Sequence, residues 1–216
     1  MTSHLSTTVF WDVDTQYDFL HSDGRLYVPG SEAIIPTLRR LTQYAHDQGI
    51  RIVASADDHV PGDPELSDRP DWKDTFPQHC MRGTPGQRKI RETGLRNPLV
   101  IDPEPAGPAT VTQRVQGHKG DVLFHKHTVD VFTNPHVLPV VDALAPKRIV
   151  LYGVATDVCD RYAIEGLLRH RPRIPLTLVT DAVRAINPER GAALLEDWRR
   201  RGVTLAAAEE ILKGEQ

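Results

Sequence analysis

A chain of 216 residues, 39% hydrophobic and 25% charged with a formal net charge of -3, can bury one substantial core and lacks the basic excess of a nucleic-acid binder. It starts Met1-Thr2-Ser3-His4 without the basic and apolar run of a secretory leader, and never reaches the roughly 18 apolar residues of a membrane span, so a cytoplasmic address is expected. Two cysteines, Cys80 and Cys159, are too few for a disulfide framework, so each thiol must be judged by its surroundings.

In chain order, short Val/Ile/Leu/Phe runs alternate with segments of helical period, the pattern of an α/β fold with a mostly parallel sheet. Six strands are expected: Thr7 to Asp14, Arg51 to Ala56, Asp121 to Lys126, Arg148 to Gly153, Leu176 to Asp181 and Val203 to Ala206. Behind Ser31, a good N-cap, Ile34, Ile35, Leu38, Leu41 and Tyr44 recur at three- and four-residue intervals and predict a helix. Asn134-Pro135 and Asn187-Pro188 announce two more, the first delayed by Pro139. The last long helix ends in Arg199, Arg200 and Arg201 before Gly202, a run read as helix-end charge and solvation. Residues 57–120 are Pro- and Gly-rich without clear period, and an irregular stretch of that length inside one domain spanning residues 1–216 points to function.

Three strand ends carry chemistry. The first strand gives way to Asp14, where ligands of parallel sheets bind, although an isolated Asp there also suits a turn. The third ends at Lys126, and a lysine at such an end is commonly just solvated. After the fourth, Cys159 falls at a helix N-terminus, where free N–H groups and the dipole predict a lowered thiol pKa, while a small buried hydrophobe is the alternative. The convergence of a carboxylate, an ammonium and a thiol on one sheet edge says more than any of the three alone. Beside them, Asp57 and His59 share one face of an extended segment. His79 could complete a two-histidine, one-carboxylate metal set, with Glu65 or Asp63 as a further ligand.

Asp14-Thr15-Gln16-Tyr17-Asp18-Phe19 is similar to a D-x-Q-x-D-F segment, and Gly153-Val154-Ala155-Thr156-Asp157-Val158-Cys159 resembles a G-[IV]-A-T-D-x-C nucleophile turn. With Asp57-Asp58-His59 and the run from Phe76 to Gly86, they resemble the isochorismatase-like cysteine hydrolases, most of all the nicotinamidase/pyrazinamidase branch, across nearly the whole chain. The resemblance implies a three-layer α-β-α fold, Asp14 as general base and acid, Lys126 as its ionic partner and Cys159 as nucleophile. It also implies a cis peptide between Val154 and Ala155, an oxyanion hole from the Ala155 and Cys159 N–H groups, and a slot for a flat substrate between Phe19 and Phe76. Asp57, His59 and His79 would hold a divalent metal, zinc first and iron or manganese also compatible. The implied partner is a small amide, and relatives are commonly dimers or tetramers.

Departures from that branch bear on the substrate. Asp58 stands where an aromatic residue is usual, Phe76 replaces a Trp, Glu65 or Asp63 falls where a His can occur, and His127 follows Lys126 in place of a glycine. His125 and His127, flanking Lys126, are expected on the opposite face with surface roles. Competing readings are a hydrolase of an isochorismate-like vinyl ether or of an N-carbamoyl compound, and a catalytically silent binding protein.

Overall fold

In a computed structural model, residues 8–104 and 107–213 are described, so Thr7, the expected start of the first strand, lies outside them. Strands β1 (Thr8–Val13), β2 (Arg51–Asp57), β3 (Leu99–Ile101), β4 (Val122–Lys126), β5 (Arg148–Val154), β6 (Leu176–Arg184) and β7 (Thr204–Ala206) form one sheet in the order β3-β4-β2-β1-β5-β6-β7. Every pairing is parallel. The central strands β1, β2 and β5 are buried on both faces, which is why they read as near-continuous apolar runs in the sequence.

Side chains leave each strand alternately to two cores. Val9, Trp11 and Val13 of β1, with Ile149 and Leu151 of β5, face α3 (Pro108–Gly117), α4 (Val137–Leu144), α5 (Cys159–His170) and α6 (Pro188–Arg200). Phe10, Val150, Tyr152 and Val154 face α1 (Tyr17–Leu20), α2 (Ile35–Asp47) and α7 (Ala208–Leu212). The result is the expected three-layer α-β-α arrangement. Among the described residues, no helix is long and apolar enough to cross a membrane.

Three expectations are corrected. The sheet has seven strands, not six, because β3 lies within the stretch taken as irregular, which also contains α3 and a single 3-10 turn at Arg91–Thr93. Ser31 does not cap α2: its hydroxyl donates to the Phe19 carbonyl at 2.9 Å, and a 3-10 turn, Ser31–Ile34, leads into the helix. The helix announced at Asn134 begins later, at Val137, as expected. β6 runs three residues past Asp181, to Arg184. Asn187, by contrast, caps α6 as read, accepting the Arg190 N–H at 2.9 Å.

The order β4-β2-β1-β5 puts four strand ends side by side, the usual place for a ligand in a parallel sheet. Close approach of β1 and β5 there depends on Gly153, with φ +136°, where an added Cβ would lie 2.0 Å from the Val13 carbonyl oxygen. Both backbone strain and overlap with a main-chain atom oppose any side chain at that position. Gly153→Ala is therefore expected to lower the unfolding free energy by about 3 kcal/mol or more, read from urea denaturation midpoints.

Candidate active site

Asp14 ends β1 in a left-handed conformation, φ +47°, completely buried, and its Oδ1 accepts the Ser55 hydroxyl at 2.7 Å. Lys126, the last residue of β4, reaches across β2 so that its Nζ lies 3.0 Å from Asp14 Oδ2 and pairs directly with Asp57 Oδ1. The same ammonium is 3.7 Å from Cys159 Sγ. Acid, ammonium and thiol thus converge as expected, with Asp57 as a second carboxylate on the lysine. Burial pushes the Lys126 amine toward the neutral form, but Asp14 and Asp57 outweigh it and hold the pKa well above its usual value. Lys126 stays charged.

Cys159 is the first residue of α5 and only 8% exposed. Its expected pKa depression is overturned. Burial raises the thiol well above its ordinary value, Lys126 offsets part of that, and Asp14, Asp57 and Glu65 add to it. A helix end contributes about 0.3–1 kcal/mol, whereas taking a charge out of water costs several, so burial wins even with Lys126 beside the sulfur. The Val154–Ala155 peptide is cis, as the resemblance implied.

The D-x-Q-x-D segment holds three different parts of the site. Asp14 meets Lys126; Gln16 clamps the end of β2, accepting the Asp57 N–H and donating to the Asp57 carbonyl, both at 2.7 Å. Asp18 Oδ2 accepts the Cys80 N–H at 2.7 Å and so anchors the turn carrying His79. Asp157, in the turn leading to Cys159, accepts the N–H groups of Ile186 and Asn187, drawing Ile186 to the site. Cys80, fully buried with its thiol on the Gly86 carbonyl, is structural.

Next to the trio, ligand atoms of Asp57, His59, Glu65 and His79 lie within 4.8 Å of one another, all four residues buried. His79 Nδ1 donates to the Pro77 carbonyl at 2.8 Å, turning Nε2 toward Asp57 Oδ2 at 3.5 Å and Glu65 Oε1 at 3.7 Å. His59 Nε2 and Glu65 Oε2 are buried without a hydrogen-bond partner. This convergence of two imidazole nitrogens and two carboxylate groups, with two of the buried atoms unpartnered, fits a divalent cation. Burial lifts the Asp57 carboxyl, but Lys126 and the imidazoles overcome it and hold the group below the usual carboxylate range. Glu65 has no direct contact with the lysine; burial, then the Asp57 charge, outweighs Lys126 and His79 and pushes it up to about 7.

Of the two acids left open as a further ligand, Glu65 faces the cluster, while Asp63 takes hydrogen bonds from the far side of His59. His127, expected at the surface, donates to that same Asp63 because β4 ends at Lys126 and strand alternation no longer applies. His125 lies on Asp102 at 2.7 Å. Asp58 turns away from the site into an ion pair with Arg82, Nε to Oδ2 2.7 Å. Phe19 and Phe76 do line the slot above Cys159, with Leu26, Val28, Val129 and Ile186, four residues from three separate segments that no sequence signal singled out.

The sequence matches the isochorismatase domain over residues 9–210, and the chain belongs to that family of hydrolases. It is 26% identical to the nicotinamidase/pyrazinamidase of Mycobacterium tuberculosis over 199 residues, 91% of this chain and 96% of that protein. It is 23% identical to the "probable inactive nicotinamidase" of Arabidopsis thaliana over 206 residues, 94% and 93% of the two chains. The structure of Pyrococcus horikoshii pyrazinamidase in complex with zinc superimposes with a TM-score of 0.74 at 25% identity, covering 93% of this chain and 99% of that one.

Removing one partner of a buried charge cluster leaves the others uncompensated, so Lys126→Met should lower stability by about 3–5 kcal/mol, measured by chemical denaturation. Zinc added to chelator-stripped protein should raise the melting temperature, by the equivalent of about 2.7 kcal/mol at a hundredfold excess over Kd. The His79→Ala variant should lose that rise, which scanning calorimetry would detect.

Proposed function

We propose that the protein is a cysteine-dependent amide hydrolase that converts nicotinamide, or a similar small uncharged aromatic carboxamide, to the acid and ammonia. The reading rests chiefly on one observation: a thiol and a carboxylate share a single buried ammonium beneath a slot walled by apolar side chains. Among the described residues, the slot's polar members are Cys159 and the cluster residues Asp57, Glu65 and His79. None of its side chains is a lysine, arginine or hydroxyl that could pair a substrate carboxylate, which disfavours the isochorismate-like and N-carbamoyl amino acid readings.

In this mechanism the flat ring lies between Phe19 and Phe76, with its carboxamide over Cys159. Because burial keeps the resting sulfur protonated, attack on the carbonyl carbon is coupled to transfer of the thiol proton to Asp14. Lys126 donates to the sulfur as negative charge gathers there, and the Ala155 and Cys159 N–H groups receive the oxyanion. As the tetrahedral intermediate collapses, the carbon–nitrogen bond breaks, Asp14 returns its proton to nitrogen, and ammonia leaves a thioester. Asp14 then takes a proton from water as its oxygen attacks the thioester carbon, and that proton restores the Cys159 thiol when the carbon–sulfur bond breaks. Asp57, His59, Glu65 and His79 would hold a divalent metal, for which we propose zinc, and that ion, when bound, supplies a Lewis-acidic position that orients a ring nitrogen.

Ammonia release from nicotinamide by the zinc-loaded protein tests the reading, with an N-carbamoyl amino acid as the contrasting substrate. Turnover of the first and not the second is expected, and the reverse preference would overturn it. Cys159→Ala should cut turnover by about a thousandfold or more while leaving the far-ultraviolet circular dichroism spectrum unchanged. Mass spectrometry of the wild-type enzyme quenched in acid during turnover should show the acyl adduct on Cys159.

A further inference from the structure

Asp63 and His127 take no part in the chemistry just described, yet they join the metal cluster to the strand that carries Lys126. Three donors converge on one oxygen, Asp63 Oδ2: the Val60 N–H at 3.0 Å, His59 Nδ1 at 3.1 Å and His127 Nδ1 at 2.9 Å. A carboxylate oxygen accepts, so each imidazole must carry its hydrogen on Nδ1 in this arrangement. For His59 that assignment leaves a lone pair on Nε2, the buried and otherwise unpartnered atom 3.8 Å from Glu65 Oε1 and 4.0 Å from Asp57 Oδ2. The ring is thereby held in the tautomer and orientation a metal ligand needs.

His127 adds a second tether. It follows Lys126 directly in the chain, and its bond to Asp63 fixes the 58–66 loop, which brings His59 and Glu65, to the end of β4. Without that bond Asp63 keeps the Val60 N–H and His59, but the loop loses its side-chain tie to β4 through that carboxylate. His79 is oriented differently, by its own backbone neighbour at Pro77, so the two histidines of the cluster have independent supports.

We propose that Asp63 and His127 are positioning residues for the metal cluster: Asp63 fixes the His59 ring, and His127 fixes Asp63 to the strand bearing Lys126. The proposal rests on the metal reading given above, and its test separates the two. Zinc affinity would be measured by competition with a chromophoric chelator, using chelator-stripped wild-type protein, Asp63→Asn, His127→Ala and, as a control on the same strand, His125→Ala. Loss of such an outer hydrogen bond should weaken zinc binding about 10–100-fold in Asp63→Asn and measurably, by about tenfold, in His127→Ala, with His125→Ala unchanged. Cobalt-loaded Asp63→Asn should also show a shifted visible ligand-field spectrum, which a merely structural role would not move. Wild-type protein that takes up no zinc overturns both readings. Zinc bound by the wild type, with affinities of Asp63→Asn and His127→Ala within twofold of it or with an unmoved cobalt spectrum, overturns this proposal alone. Should Asp63→Asn fail to fold, the half-buried His127→Ala substitution decides through the same two readouts.

Discussion

The Lys126 ammonium, sealed between Asp14 and Asp57 at the mouth of the sheet, is the interaction on which the rest of the structure depends. An isolated lysine would be driven to its neutral form at such a depth, and an isolated aspartate likewise; paired, Lys126 and Asp57 favour their charged forms. Their partners come from three adjacent strands, so the ion cluster also fixes how β4, β2 and β1 end relative to one another. Gly153 then lets the fourth strand, β5, close up to Val13 and deliver Cys159 to the same charge.

The polar residues just beyond β1 show how a short sequence segment can organise distant parts of a fold. Asp14, Gln16 and Asp18 point to Lys126, to the backbone of Asp57 and to the backbone of Cys80 respectively. These contacts bridge 112, 41 and 62 residues of sequence and join the trio, the end of β2 and the His79 turn through one rigid piece of chain. Such buried side-chain-to-backbone bonds replace the regular pairing that residues 58–98 mostly lack.

What the sequence made legible follows from length scale. Strands β1, β2, β4 and β5 announce themselves because each runs for five or more residues around an unbroken apolar stretch of at least three, and the chemically distinct residues at their ends could be placed with them. β3 has three residues in a Pro- and Gly-rich context, too few for a period to emerge. The slot residues Leu26, Val28, Val129 and Ile186 could not be found because the slot assembles them from separate loops, where neither spacing nor composition marks them. The choice between Glu65 and Asp63 depended on loop geometry, and the role of His127 on β4 stopping one residue earlier. The thiol's protonation was misread for an energetic reason: position in a helix can be inferred from sequence, whereas the depth that dominates it cannot.

Asp57 spends its two oxygens on different neighbours, Oδ1 on Lys126 and Oδ2 on the histidine and glutamate cluster. A cation drawing on one oxygen polarises the whole carboxylate and weakens its grip on the ammonium, which then leans further toward Asp14 and the sulfur. By linkage the influence is reciprocal, since whatever changes the charge at the sulfur must alter the hold on the cation by the same free energy. Occupancy of the cluster by a cation and charge at the sulfur would therefore be coupled through the two oxygens of one side chain.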